Sequence, residues 1–124
     1  MNVLLDTNVV LWLLAGDSRI TPSVLSQINT AKNAYISTIS LLEISIKVSV
    51  GKLKKPVHLL DLMTDLGFEE LPIDASTLVK LESLPLLHRD PFDRTIVAAA
   101  MSAKATLITG DKQLAAYGLK TILV

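Results

Sequence analysis

The strongest constraint on this chain is an alternation of short apolar runs with helix-length stretches, punctuated by glycine and proline. Asn2–Leu5, Ala34–Ser37, Phe68–Ile73, Thr106–Thr109 and Lys120–Leu123 read as strands. Between them lie helices over Val9–Ala15, closed by Gly16, and from Thr21-Pro22 to about Lys32. A third is capped by Thr38 or Ser40 and runs to Val50, where Gly51 stops it. A fourth opens at Pro56, ends near Leu66 and is followed by Gly67. Asp74 caps ASTLVKLESL, which Pro85 ends, and Asp90-Pro91 begins a helix to Lys104. Lys112–Tyr117 reads as one more short helix. Strands separated by helices cannot pair as hairpins, so the chain is an α/β layer fold with a mainly parallel sheet. Pro72 points to an edge position for its strand. There is no internal repeat or linker, and 124 residues make one domain, 1–124.

The first strand ends on a carboxylate, which is costly beside a core unless something compensates its charge. In parallel sheets, ligands gather beyond the carboxyl ends of the strands, where the strand order reverses. Asp6 and Asp111 both reach that rim if their strands run parallel, Asp111 following through Thr109-Gly110. Glu43 sits early in its helix beside Ile39, Ile46 and Val50, unusual company for a glutamate. Asp93 rides the face that carries Val97, Ala100 and Met101. Each acid also has a local explanation. Asp6 and Asp111 can cap helices, Glu43 can pair with Lys47, and Asp90 fits an N-cap before Pro91, with Asp93 at N3. Together, Asp6, Glu43, Asp93 and Asp111 would repel one another and raise each other's pKa. A divalent cation removes that conflict. With no cysteine and no paired histidines, oxygen donors suit Mg²⁺ or Mn²⁺ rather than zinc.

Twelve basic and twelve acidic side chains balance, so net charge lends nothing to nucleic-acid binding. The local cluster Lys47, Lys52, Lys54 and Lys55 fits either a basic contact surface or a solvated helix end. Half the residues are hydrophobic and mean hydropathy is +0.48, a surplus that suggests self-association. No run approaches the roughly 20 apolar residues of a membrane helix. The first residues lack the basic region of a secretory signal, so a cytoplasmic protein is the simplest reading. Ser37, Ser40, Ser45 and Ser49 have no evident His–Asp relay, which disfavours serine hydrolysis. Trp12 reads as a core or dimer contact, Tyr35 as strand packing and His58 as a surface helix residue.

DTNVVLW, SLLEISIKVSVGKL, HRDPFDRTIVAAA and LITGD together resemble a PIN-domain protein and, more narrowly, the VapC-type toxins of bacterial toxin–antitoxin pairs. The resemblance covers essentially the whole chain. It implies a single α/β/α domain and a Mg²⁺-dependent endoribonuclease, with Mn²⁺ as the other metal. By position it makes Asp6, Glu43, Asp93 and Asp111 the catalytic, metal-holding quartet, with Asp90 as a further contributor. Thr7, Asn8 and Thr109 match positions that orient the ligands. His88 and Arg94, with Lys47 in the basic segment, are candidate RNA contacts. A homodimer and a VapB-type antitoxin are implied partners. Two alternatives remain open at this point. In one, the acids are structural caps in a dimerising or binding module. In the other, the chain is a haloacid-dehalogenase-like phosphatase, although Asn8 stands where that family needs a second aspartate.

Overall fold

Four-residue apolar strands covered on both faces need helices on each side, and this is how the chain folds. The structure, a computed structural model, describes residues 1–54 and 59–124. The strands are β1 (Asn2–Leu5), β2 (Asn33–Ser37), β3 (Glu69–Leu71), β4 (Thr106–Thr109) and β5 (Thr121–Leu123). They lie in the order β3-β2-β1-β4-β5, and every pairing is parallel. The helices are α1 (Thr7–Ala15), α2 (Pro22–Asn29), α3 (Thr38–Ser49), α4 (Leu59–Asp65), α5 (Ala75–Ser83) and α6 (Pro91–Ser102). A 3₁₀ helix covers Lys112–Tyr117.

The chain winds from β1 through β2 to the edge strand β3, then returns to β4 on the other flank of β1. The strand order therefore reverses between β1 and β4, which places the ligand crevice at their carboxyl ends. Their register pairs Leu5 with Ile108. The Asp6 N–H then donates to the Ile108 carbonyl at 2.9 Å and carries the ladder one residue further.

Side chains alternate across β1, so Val3 and Leu5 join Val9, Ile36, Ile44 and Ile108 in one core layer. Leu4 joins Ile96, Val97, Leu107 and Leu114 in the other. Ala98, Ala99 and Ala100 are buried along α6, and their small side chains let that helix lie close to its neighbours.

Boundaries moved where a capping side chain or a neighbouring strand claimed a backbone group. α1 starts at Thr7 rather than Val9, because Asp6 adopts extended backbone and accepts the Thr7 N–H. α2 stops at Asn29 rather than Lys32, whose N–H pairs with the Met1 carbonyl as β2 begins. The cap of α3 is Ser37, not Thr38 or Ser40: its Oγ accepts the Ile39 N–H at 3.1 Å. Thr38 instead donates to the Leu71 carbonyl. β3 is confined to Glu69–Leu71, and pairing with β2 alone gives it the edge position that Pro72 indicated. The expected helix start at Pro56 and the placement of His58 lie outside the described residues.

Ala100 tests the tight seating of α6, because it is fully buried on the face shared with Asp93. Ala100→Leu is expected to lower unfolding free energy by about 1–3 kcal/mol through overpacking, measured by urea denaturation.

Candidate active site

Asp6 occupies the reversal point as both a helix cap and a buried charge, at 6% relative exposure. Its Oδ1 accepts the Thr7 N–H at 2.7 Å and its Oδ2 accepts the Thr109 hydroxyl at 2.7 Å. The Thr7 hydroxyl in turn donates to Ser40 Oγ at 2.9 Å, tying β1's end to α3. Burial raises the Asp6 pKa, the bonds from Thr109 and Thr7 oppose that rise, and the charges of Glu43 and Asp111 add to it. Asn8 is exposed on the first turn of α1.

Glu43 projects from α3 with its side chain 15% exposed and pairs with Lys47 Nζ at 3.1 Å. The apolar stripe expected around it is only partly buried: Ile39 is covered, whereas Ile46 and Val50 face solvent. Asp93 does ride a buried face, since Val97 and Ala100 are fully enclosed. Its pKa is pushed up to about 6 by burial, then by the charges of Asp6, Asp90 and Glu43, with His88 pulling the other way. Asp111 directs Oδ1 to the Gln113 N–H and caps the 3₁₀ helix, while Oδ2 lies 3.4 Å from His88 Nε2. The same Nε2 is 3.5 Å from Asp93 Oδ2. Ligand atoms of His88, Asp93 and Asp111 all fall within 4.8 Å of one another. Asp6 and Glu43 stand outside that set and are joined to it electrostatically.

The donor set fits a divalent cation: besides burial, the charges of Glu43 and Asp111 raise Asp6, those of Asp6, Asp90 and Glu43 raise Asp93, and no cysteine is present. Asp90 caps α6, its Oδ1 accepting the Phe92 and Asp93 N–H groups at 2.9 and 3.4 Å. The Arg94 guanidinium turns inward and donates to the Pro85 and Leu84 carbonyls at 2.9 and 3.4 Å. Lys52 and Lys54 are exposed beyond the end of α3, while Lys55 is outside the described residues.

Sequence reasoning did not find Ser40, Tyr117 or Gly110. The Tyr117 hydroxyl accepts the His88 backbone N–H at 2.9 Å. A Cβ built on Gly110 would lie 2.7 Å from Trp12 Cη2 and 2.9 Å from Cζ3, so only glycine lets the ring seat there. Arg19 covers the same indole, 4.5 Å from its ring centroid. The glycine between Thr109 and Asp111 was the available signal for such a close approach.

A sequence profile of the PIN domain matches residues 3–120. No curated protein sequence matches the chain. Among solved structures, it is similar to VapBC2 from Rickettsia felis bound to a promoter DNA fragment, at 20% identity and a TM-score of 0.77, covering 99% of this chain and 98% of that one. VapBC-1 from nontypeable Haemophilus influenzae is similar at 20% identity and TM-score 0.69, with 99% and 98% covered. VapBC-5 from Mycobacterium tuberculosis, of the VapBC family of toxin–antitoxin systems, matches at 20% and 0.66, again covering 99% and 98%.

Two outcomes follow from the geometry. A carboxyl raised from 3.8 to about 6 keeps its proton longer in the folded state than in the unfolded chain, so its stabilising contribution is present below pH 4 and lost as pH rises through 6. In metal-free protein, Asp93→Asn is expected to flatten that fall between pH 4 and 7, a difference of at most roughly 3 kcal/mol by chemical denaturation. Gly110→Ala is expected to cost about 1–3 kcal/mol by forcing Trp12 aside. Because Trp12 is the only tryptophan, its fluorescence reports the displacement directly.

Proposed function

The chain belongs to the PIN-domain family, and on that premise we propose that it is a metal-dependent endoribonuclease, the VapC-type toxin of a toxin–antitoxin pair. One observation carries the reading. At the β1–β4 reversal, burial raises Asp6 and Asp93, and the charges of Glu43 and Asp111 on the first, and of Asp6, Asp90 and Glu43 on the second, raise them further. A scaffold with capping acids alone has no reason to bury Asp6 where Glu43 and Asp111 oppose its charge.

Asp6, Glu43, Asp93 and Asp111 would hold Mg²⁺ or Mn²⁺. When bound, such an ion makes water more acidic and offsets charge that builds on a phosphoryl oxygen. The chain's own contribution is orientation. Thr109 and Thr7 hold both oxygens of Asp6, and Ser40 holds Thr7, so the carboxylate has no freedom to turn away. Lys47 neutralises Glu43, and with the exposed Lys52 and Lys54 it offers cations to RNA phosphates. Arg94 is committed to carbonyls, which suits it to bracing the site rather than contacting RNA.

Leu42, Ile46 and Val50 are exposed on α3, as are Leu78 and Val79 on α5. Apolar surface of this kind supports a homodimer and a VapB-type antitoxin as partners. Among the described residues, no helix is long and apolar enough to cross a membrane. A cytoplasmic location goes with the toxin reading.

The test is cleavage of total RNA by the purified protein in Mg²⁺, with and without EDTA. EDTA is expected to abolish cutting, and Asp6→Asn or Asp93→Asn to reduce it by at least about 100-fold. Both variants should remain folded and no longer inhibit growth on expression. Chelator-resistant cleavage, or either variant cutting at the parent's rate, would overturn the assignment.

A further inference from the structure

His88 lies beside Asp93 and Asp111, its side chain 21% exposed. Nε2 lies 3.5 Å from Asp93 Oδ2 and 3.4 Å from Asp111 Oδ2, both longer than a well-formed N–H···O bond. Nδ1 accepts the backbone N–H of Asp90 at 3.1 Å. A ring nitrogen that accepts carries no proton, so the ring's N–H is on Nε2. A metal-binding imidazole has the reverse arrangement: the coordinating nitrogen is bare and the other donates to an acceptor. For Nε2 to ligate, Nδ1 would have to carry a proton and face the Asp90 N–H, donor against donor.

The backbone that carries the ring is also held in place. The His88 N–H donates to the Tyr117 hydroxyl at 2.9 Å, and Arg94 Nη1 reaches that hydroxyl at 3.5 Å while holding the Pro85 carbonyl. Tyr117 ends the 3₁₀ helix that Asp111 caps, and Arg94 directly follows Asp93. The elements that carry the two acids therefore also brace the backbone at His88.

We propose that His88 serves the site as an Nε2–H hydrogen-bond donor to a phosphate oxygen of the bound RNA, and not as a ligand of the metal. The proposal rests on the nuclease reading above. Its donor faces two carboxylates without closing a short bond to either, so it retains capacity for a third anionic acceptor. A phosphodiester at this site presents such an oxygen. All three side chains keep some contact with solvent, at 21% for His88, 23% for Asp93 and 35% for Asp111.

Three measurements decide it. Long-range ¹H–¹⁵N correlation spectra of the metal-free protein are expected to show the Nε2–H tautomer, and an Nδ1–H tautomer overturns the proposal. Calorimetric titration with Mn²⁺ should give His88→Ala the parent's affinity within about threefold, whereas a loss of about tenfold or more marks a ligand and overturns it. In RNA cleavage at saturating Mn²⁺, His88→Ala is expected to lose about 10- to 100-fold, with His88→Gln, which keeps an N–H donor, recovering most of it. Alanine as active as the parent, or glutamine no better than alanine, overturns the donor role. A parent chain that cuts no RNA removes the nuclease reading and the phosphate partner with it. The tautomer and the titration still decide whether His88 binds metal.

Discussion

The parallel pairing of β1 with β4 is the constraint on which the site depends. It sets Leu5 beside Ile108 and so puts Asp6 beside Thr109, two residues separated by 103 positions in the chain. Both side chains are buried, and the Thr109 hydroxyl donates to Asp6 at 2.7 Å while accepting the Asp111 N–H at 3.0 Å. The same carboxylate opens α1 by accepting the Thr7 N–H. The start of the first helix and the floor of the acidic cluster are thus one interaction. A slip of one residue in the β1–β4 register would turn Asp6 to the other face and dissolve both.

Buried charge at this rim is not a failure of local bonding. Among the described residues, every buried side-chain polar atom has a hydrogen-bond partner. What remains uncompensated is burial itself together with repulsion among the acids, which raise Asp6 and push Asp93 up to about 6. Hydrogen bonds from Thr109 and Thr7 lower the cost of charging Asp6 but cannot remove the fields of Glu43 and Asp111. That residual conflict is a free-energy reserve that binding of a cation would release, because the ion favours the same charged forms that folding disfavours.

Much of the fold was legible because it rests on local pattern. Strand runs, glycine stops and the Asp90-Pro91 start lie within a few residues of each other, and all reappear in the structure. The acids stood out because they break apolar periodicity, most clearly at Asp93, where Val97 and Ala100 are indeed enclosed. Glu43 was noticed for a weaker reason, since Ile46 and Val50 turned out to face solvent. Ser37 was missed as a cap because three hydroxyls stand within four residues, and only tertiary partners for Thr38 and Ser40 separate their roles. Tyr117 was unreadable in its role because its partner is a backbone N–H 29 residues away. Local side-chain patterns encode caps within a few residues, not a bond to so distant a backbone group.

The choice between cap and ligand, which seemed to divide the readings of each acid, is not a real division. A carboxylate has two oxygens, and capping needs only one. Asp111 shows the consequence: Oδ1 holds the Gln113 N–H and fixes the side chain's direction, while Oδ2 is left facing His88. The cap is what aims the second oxygen. Asp90 differs because its Oδ1 serves two N–H groups at the helix start and its side chain is exposed. It contributes to the site through its charge on Asp93 and its N–H to His88. Capping therefore does not argue against function at this rim. It supplies the rigidity without which a flexible acid would swing into solvent and leave the cluster.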